Sequence, residues 1–147
     1  MGYGQKFQDF KINVHISGQR GAQGIRDVLP KLSTEARNCI TIENDETKHG
    51  LDASLELQND VALVLDIHHH WIKTGEYIEA SDDRIKKVID SWRGQRPVIH
   101  YSLPRQDALN EVNPNILPQH TNKRQKLRAH SDFFWNQPPF TRSLKES

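Results

Sequence analysis

Histidine and acidic residues in this sequence follow short apolar runs, where their side chains could hold a metal ion. Five such residues follow four different runs: His15, Glu43, Asp66, His69 and His100. Imidazole and carboxylate groups are the ligands that divalent Mn, Zn or Fe ions take in proteins. Such ions activate water and stabilise the charge of an in-line phosphoryl displacement. The residue types therefore predict metal-dependent chemistry, with Glu43, Asp66 and His69 as its centre.

Alternating strand and helix patterns would position these residues. Strand patterns cover residues 11–17, 39–42, 61–65 and 97–99. Helical patterns lie between them, at 24–32, at 51–57 and from an N-cap at Ser81 to Gly94. Strands that alternate with helices indicate right-handed βαβ units and a parallel sheet, which is an α/β fold. Since sites of parallel α/β proteins assemble at the carboxyl ends of the strands, we expect the five residues to meet there.

Other interpretations of the individual residues remain open. Glu43 and Asp66 could instead cap helices, and His100 could be a buried, hydrogen-bonded residue. On spacing alone, His15 is the least supported of the five candidate metal ligands.

The remaining histidines divide into two groups. Within the triple that follows the third strand, His68 is an open candidate for the site and His70 is expected to support it. His49 and His120 lie in predicted loops and are expected to be exposed to solvent.

Composition places limits on the class of protein. The chain has 147 residues, a formal net charge of +1, and a hydrophobic share of 35%, which fits one globular domain. No apolar run approaches the roughly 20 residues of a membrane span, and residues 1–10 lack the pattern of a secretory signal. The single cysteine, Cys39, fits a reducing compartment, so we expect a cytoplasmic protein without a membrane partner.

The last third of the sequence is less regular. Residues 103–128 are rich in Pro, Asn and Gln and predict a long loop, and residues 136–147 predict a polar tail. Four basic residues near the end of the loop could contact DNA phosphates: Lys123, Arg124, Lys126 and Arg128. A solvated charged segment is the alternative for these four residues.

Several motifs together resemble those of the UV-damage DNA endonuclease family. The motifs are the segment that ends in Glu43, Asn44 and Asp45, the segment from Asp66 to His70, and the segment from His100 to Ser102. The strand around His15 resembles the preceding strand of the family, and the segment around His130 resembles the following strand. The resemblance runs from about residue 10 to residue 135.

This resemblance implies a fold, an activity and a set of ligands. The family is a (β/α)₈ barrel with a cluster of divalent ions, usually manganese, with zinc and iron as alternatives. Its members nick damaged DNA on the 5′ side of a UV photoproduct and so start excision repair. The ligands that it implies here are His15, Glu43, Asp66, His69 and His100, and it implies that His130 is a ligand or a phosphate contact.

The chain is shorter than a whole barrel of this type, which needs about 250 residues. We therefore expect residues 1–147 to form a single incomplete TIM-barrel domain with four to five parallel strands. The opening strands of the family and its late glutamate have no counterpart here, so a second polypeptide or self-association is expected to cover the open sheet edges. Two alternatives to a UV-damage endonuclease remain: a catalytically inactive remnant, and a sugar isomerase-like metal barrel.

Overall fold

The structure is a computed structural model, and it describes residues 2–103, 128, 130 and 131. Several predictions fall outside this part of the chain. They concern His120, the phosphate contacts of Lys123, Arg124 and Lys126, nearly all of the loop predicted at 103–128, and the tail predicted at 136–147.

The described chain alternates strands and helices, as the sequence predicts. The strands are β1 (Ile12–His15), β2 (Ile40–Glu43), β3 (Ala62–Asp66) and β4 (Ile99–His100). The α-helices are α1 (Gly21–Val28), α2 (Thr34–Cys39), α3 (Leu51–Leu55), α4 (Ile67–Thr74) and α5 (Asp83–Asp90), and a 3₁₀ helix spans Leu29–Lys31. Within the described residues, none of these helices combines the length and apolar character that a membrane span requires.

The four strands form one parallel sheet in the order β1-β2-β3-β4. The order of the strands in space is thus their order in the chain. This arrangement is that of a barrel segment, whereas a doubly wound sheet reverses its strand order at a switch point. In the described part of the chain the sheet stays open, with β1 and β4 at its edges.

Side chains of β3 alternate between two environments. Leu63 and Leu65 of β3 pack in the larger apolar core, together with Ile42 of β2. Ala62 and Val64 point to the other side, where they meet Trp92. Because strand side chains alternate with a period of two, Asp66 follows Ala62 and Val64 onto this second face. The larger core therefore anchors one face of the sheet and leaves the other face for the polar residues.

Local sequence signals explain where several helices differ from the prediction. The first helix begins at Gly21, three residues earlier than expected, and Pro30 lies in the 3₁₀ turn that follows it. Helix α2, which the sequence pattern did not indicate, begins after Ser33, whose hydroxyl accepts a hydrogen bond from the amide of Ala36. Cys39 ends this helix, so β2 begins one residue later than predicted.

Two side chains after helix α5 complete the hydrogen bonding of β3. Strand β4 pairs only with Leu65 and Asp66, so Leu63 has no strand partner on that side. The Ser91 hydroxyl accepts a bond of 2.9 Å from the Leu63 amide, and the Trp92 indole N–H donates one of 2.7 Å to the Leu63 carbonyl. Since Ser91 and Trp92 are both buried, water cannot replace these bonds.

We expect Ser91→Ala to destabilise the protein by about 1–3 kcal/mol, because the buried amide of Leu63 would lose its acceptor. Ser81→Ala, which changes an exposed serine just before α5, is the matched control and should change the free energy of unfolding by less than about 0.5 kcal/mol. Urea titration followed by circular dichroism measures both values. Equal stability of the two variants would contradict the role given to Ser91.

Asp82, and not the predicted Ser81, is the N-cap of α5. Its carboxylate accepts a hydrogen bond of 2.9 Å from the Arg84 amide and pairs with the Arg84 guanidinium at 2.8 Å. The side-chain and backbone hydrogen bonds from Arg84 lower the pKa of Asp82 to about 2. A carboxyl whose pKa is lowered by folding stabilises the folded state above its unfolded pKa and loses this contribution as the pH falls through the folded pKa.

Asp82→Ala should therefore cost about 1 kcal/mol of stability near neutral pH, the usual value of an N-cap. This cost should shrink as the pH falls from 3.8, the ordinary value, towards about 2. Urea titrations of both proteins across this range test the prediction. A difference that stays constant down to the lowest pH would contradict it.

Candidate metal centre

The parallel strands bring the predicted ligands to the same edge of the sheet. His15 of β1 lies opposite Glu43 of β2, and Asp66 of β3 lies opposite His100 of β4. All four residues stand at the carboxyl ends of their strands. A cavity of about 560 Å³ opens there, and His69 and His130 also line it. The structure thus brings together all six residues named from the sequence as metal ligands.

Glu43 is the centre of this arrangement, since its side chain is only 1% exposed. The His100 Nδ1 lies 3.0 Å from Glu43 Oε1, and the His69 Nδ1 lies 3.6 Å from the same oxygen. The His15 Nε2 lies 3.4 Å from Oε2, which also accepts a hydrogen bond from the Asn13 amide. Polar groups of three other elements therefore converge on one buried carboxylate.

The ionisation of Glu43 follows from two opposing effects. Burial alone would raise the pKa of this carboxyl, but the hydrogen bond and the charge of His100, with further contributions from His15 and Asn13, hold the pKa below its ordinary value. The same hydrogen bond raises the pKa of His100. Glu43 is consequently kept as an anion, the form that binds a cation.

Asp66 and His69 are held together at the start of α4. Asp66 is the N-cap of this helix, and its Oδ1 accepts a hydrogen bond of 2.8 Å from the His69 amide. Its Oδ2 lies 3.8 Å from the His69 Nε2. Burial raises the pKa of Asp66, and the nearby negative charge of Glu43 adds to this effect. A cation between the two carboxylates would relieve their repulsion.

Asn44 fixes both members of this pair. Its amide group donates a hydrogen bond of 2.9 Å to the Asp66 carbonyl and accepts one of 2.8 Å from the Asp66 amide. The Asn44 carbonyl lies 3.0 Å from the His69 Nδ1 and can only accept, so Nδ1 carries the proton. The lone pair of His69 is therefore on Nε2, as in histidines whose other ring nitrogen is anchored beside a metal.

The donor set of the described residues fits a divalent ion. Three groups of side chains have ligand atoms within 4.8 Å of one another: His15, Glu43 and His69; Glu43, Asp66 and His100; and His15, Asp45 and Glu46. Each group mixes carboxylate oxygen with imidazole nitrogen, the combination that Mn, Fe and Zn accept. Glu43 and His15 belong to two groups each, so the groups form one continuous centre.

Three residues of this centre were missed by the prediction from sequence. Asp45 and Glu46 lie two and three residues after the predicted ligand Glu43 and are buried, Asp45 beside His15 and Glu46 beside His69. Asn13 lies two residues before His15, and strand periodicity could have placed it on the same face. Thr41 Oγ1 donates a hydrogen bond of 2.8 Å to the Asn13 side chain and so orients it.

His130 lies at the cavity but outside the three groups. Its Nδ1 lies 2.5 Å from the Ser102 hydroxyl and 3.3 Å from the His68 Nδ1. The backbone amide of Ser131 donates a hydrogen bond of 2.8 Å to the Leu103 carbonyl, which holds this segment beside the end of β4. His68, an open candidate for the site, is buried and contacts His130. His70, which is expected to support the site, is buried but does not line the cavity.

The structure also places one charged and one loop residue named from the sequence. Arg128, for which a DNA contact is predicted, forms an ion pair with Glu46 at the edge of the centre, and its DNA contact stays a prediction. His49, expected to be exposed, is half-buried and makes a contact of 2.8 Å between its Nε2 and the Gly18 carbonyl.

Comparisons with known proteins agree with the fold and the motifs. A sequence model of the family described as UV-endonuclease UvdE matches residues 1–145. The solved structure of SacUVDE is similar to this chain with a TM-score of 0.61 and 23% identity, over 93% of this chain and 43% of that one. The chain thus spans less than half the length of that structure. A search of curated protein sequences returned no match.

The hydrogen bonds that Asn44 makes to the backbone of Asp66 can be tested by measuring the free energy of unfolding. Asn44→Ala would leave the buried backbone N–H and C=O of Asp66 without partners, so we expect a loss of about 2–5 kcal/mol in the free energy of unfolding. Asn59→Ala, at an exposed asparagine before β3, is the matched control and should cost less than about 0.5 kcal/mol. Chemical denaturation in the presence of a chelator measures both. A cost for Asn44→Ala as small as that of the control would contradict the bridging role.

Proposed function

The chain belongs to the UV-endonuclease UvdE family, and from this premise we propose that it is a metal-dependent endonuclease of UV-damaged DNA. In this proposal it nicks one strand of double-stranded DNA on the 5′ side of a photoproduct and so starts excision repair. The observation that carries the proposal is the buried Glu43 carboxylate, which imidazoles from three other elements surround at the carboxyl ends of parallel strands.

The residues that would hold the metal are His15, Glu43, Asp66, His69 and His100, with His130 as a ligand or a phosphate contact. Asp45 and Glu46 join this set because their carboxylates share the third group with His15. When bound, divalent ions would activate water for attack on the phosphate and stabilise the developing negative charge. Manganese is the proposed ion, and zinc and iron fit the same mixture of ligands.

The chain's own residues prepare the site for this chemistry. Glu43 and Asp66 supply the negative charge that draws cations to the centre, and their burial keeps competing water away. Asn44 and the N-cap of α4 fix the orientation of the His69 ring, so that little rearrangement is needed when the ion binds.

DNA contact is proposed for the basic residues Lys123, Arg124, Lys126 and Arg128. Arg128 supports this proposal, because its pairing with Glu46 places a guanidinium at the edge of the metal centre. A phosphate of the bound strand could take the place of Glu46 as its partner, since guanidinium binds both groups.

A cytoplasmic location is also proposed. The comparisons give no support to the second polypeptide that the sequence led us to expect.

The direct test is nicking of UV-irradiated supercoiled plasmid in the presence of Mn²⁺. We expect the wild-type chain to convert the plasmid to its open circular form, with unirradiated plasmid and added chelator as controls. Glu43→Gln keeps the shape of the side chain but removes its charge. We expect the rate to fall by at least about a hundredfold, since loss of a residue that only supports a ligand can already cost that much. Glu79→Gln, at an exposed glutamate remote from the cavity lining, should keep the wild-type rate.

Two results would contradict the proposal. One is a folded wild-type chain that makes no nick with Mn²⁺, Zn²⁺ or Fe²⁺, as the inactive remnant would behave. The other is nicking that Glu43→Gln does not reduce.

A further inference from the structure

Beside the cavity, three aromatic rings stack outwards in a column that consists of His68, Trp71 and Tyr77. The ring centroids of His68 and Trp71 lie 6.0 Å apart with 24° between their planes, and those of Trp71 and Tyr77 lie 5.7 Å apart with 14°. His68, at the inner end, is buried, and its ring centroid lies 4.8 Å from that of His130, which lines the cavity. Tyr77, at the outer end, is 40% exposed. The column therefore connects the border of the cavity to the protein surface.

The chain after α4 is folded so that Tyr77 lies against this helix. His68 and Trp71 are three residues apart on α4, so their side chains share one face of it. Gly75 ends the helix in the left-handed conformation, with a φ of 81°, and this lets the chain fold back. Ile78, the residue after Tyr77, is buried in the larger apolar core. Tyr77 is thus anchored from both sides, and its place on Trp71 is set by the fold.

The outer ring of the column also lies near a residue of the cavity lining. Partial burial raises the pKa of Tyr77 to about 12, and the nearby phenol of Tyr101 contributes to this shift. Tyr101 lines the cavity beside the candidate ligand His100. The hydroxyl of Tyr77 is neutral near pH 7, so it would not repel a polyanion that reaches the metal centre.

An accessible flat ring in this place suits a base of the DNA strand. Every nucleobase has a π face, so aromatic side chains stack on bases of any sequence. A strand whose phosphate reaches the metal centre also brings its bases to the border of the cavity, where the column begins. In an intact duplex the faces of the bases are covered by their neighbours, so only an unstacked base could make this contact.

We propose that Tyr77 stacks on an unstacked base of the DNA strand bound at the metal centre, while Trp71 covers the other face of the tyrosine ring. The ligand of this surface is a nucleobase, whereas the ligand of the metal centre is a phosphodiester. The inference rests on the proposed function for the presence of DNA, and it gives a role to two aromatic residues that the proposed reaction does not use.

Binding of two short single-stranded oligonucleotides tests this contact. One carries a base on every sugar, and the other has the same number of phosphates but abasic sugars in its central part. Fluorescence anisotropy, with chelator present so that neither strand is cut, measures the affinity of the full chain for both. We expect the wild type to bind the first about tenfold more tightly, the effect of one base stack. Tyr77→Ala should remove this difference by weakening only the first complex, whereas Tyr77→Phe, which keeps the ring, should preserve it.

Tyr3→Ala is the matched control for an exposed aromatic residue. Tyr3 is 72% exposed and packs on Phe10 just before β1, at the opposite end of the sheet from the metal centre, so this variant should bind both oligonucleotides as the wild type does. The inference is overturned if the wild type binds both equally or binds neither. An equal loss for both in Tyr77→Ala would also overturn it, and would mean that Tyr77 only covers Trp71. Nicking of irradiated plasmid is measured separately on the same protein, so failure of this inference is distinguishable from failure of the proposed function.

Discussion

A carboxylate removed from water needs hydrogen-bond and ionic partners, and Glu43 shows how this fold supplies them. An ion buried without compensation costs several kcal/mol, so the side chain would be a liability if it stood alone. Here the imidazoles of His15, His69 and His100 surround it, and Asn13 adds a neutral hydrogen bond. These partners come from β1, α4 and β4, so the sheet must be assembled before the charge can be balanced. Fold and site therefore depend on each other.

Hydrogen bonds near the centre and farther from it hold the ligand residues in place. Asn44 connects the end of β2 to the end of β3 and fixes the ring of His69, while Asp66 both caps α4 and presents an oxygen to that ring. Farther from the centre, Ser91 and Trp92 make hydrogen bonds to the backbone of Leu63, near the start of β3, where β4 does not reach. The positions of Glu43 and Asp66 are thus set by contacts on both sides of β3, which is fully buried.

Much of this arrangement could be predicted from the sequence, because apolar runs followed by His, Asp or Glu define strand ends. His15 lies opposite Glu43, and Asp66 lies opposite His100, because of the strand register. The spacing of the motifs along the chain only suggests this register. The inclusion of Asp45 and Glu46 could not be predicted, since the turn that folds them back is set by long-range contacts. One of these contacts is the bond from the Lys73 ammonium to the Thr47 carbonyl. The cap at Asp82 was missed because Ser81 and Asp82 are both good N-cap residues, and the Arg84 side chain favours the second.

If these distant side chains form one cation site, anomalous X-ray diffraction from crystals soaked in Mn²⁺ should reveal the ion there. We expect an anomalous peak within ligand distance of Glu43, Asp66 and at least one imidazole of His15, His69 or His100. Crystals of Glu43→Gln should lose or weaken this peak. Strong manganese peaks confined to other surfaces, or none at the carboxyl ends of the strands at saturating Mn²⁺, would contradict it.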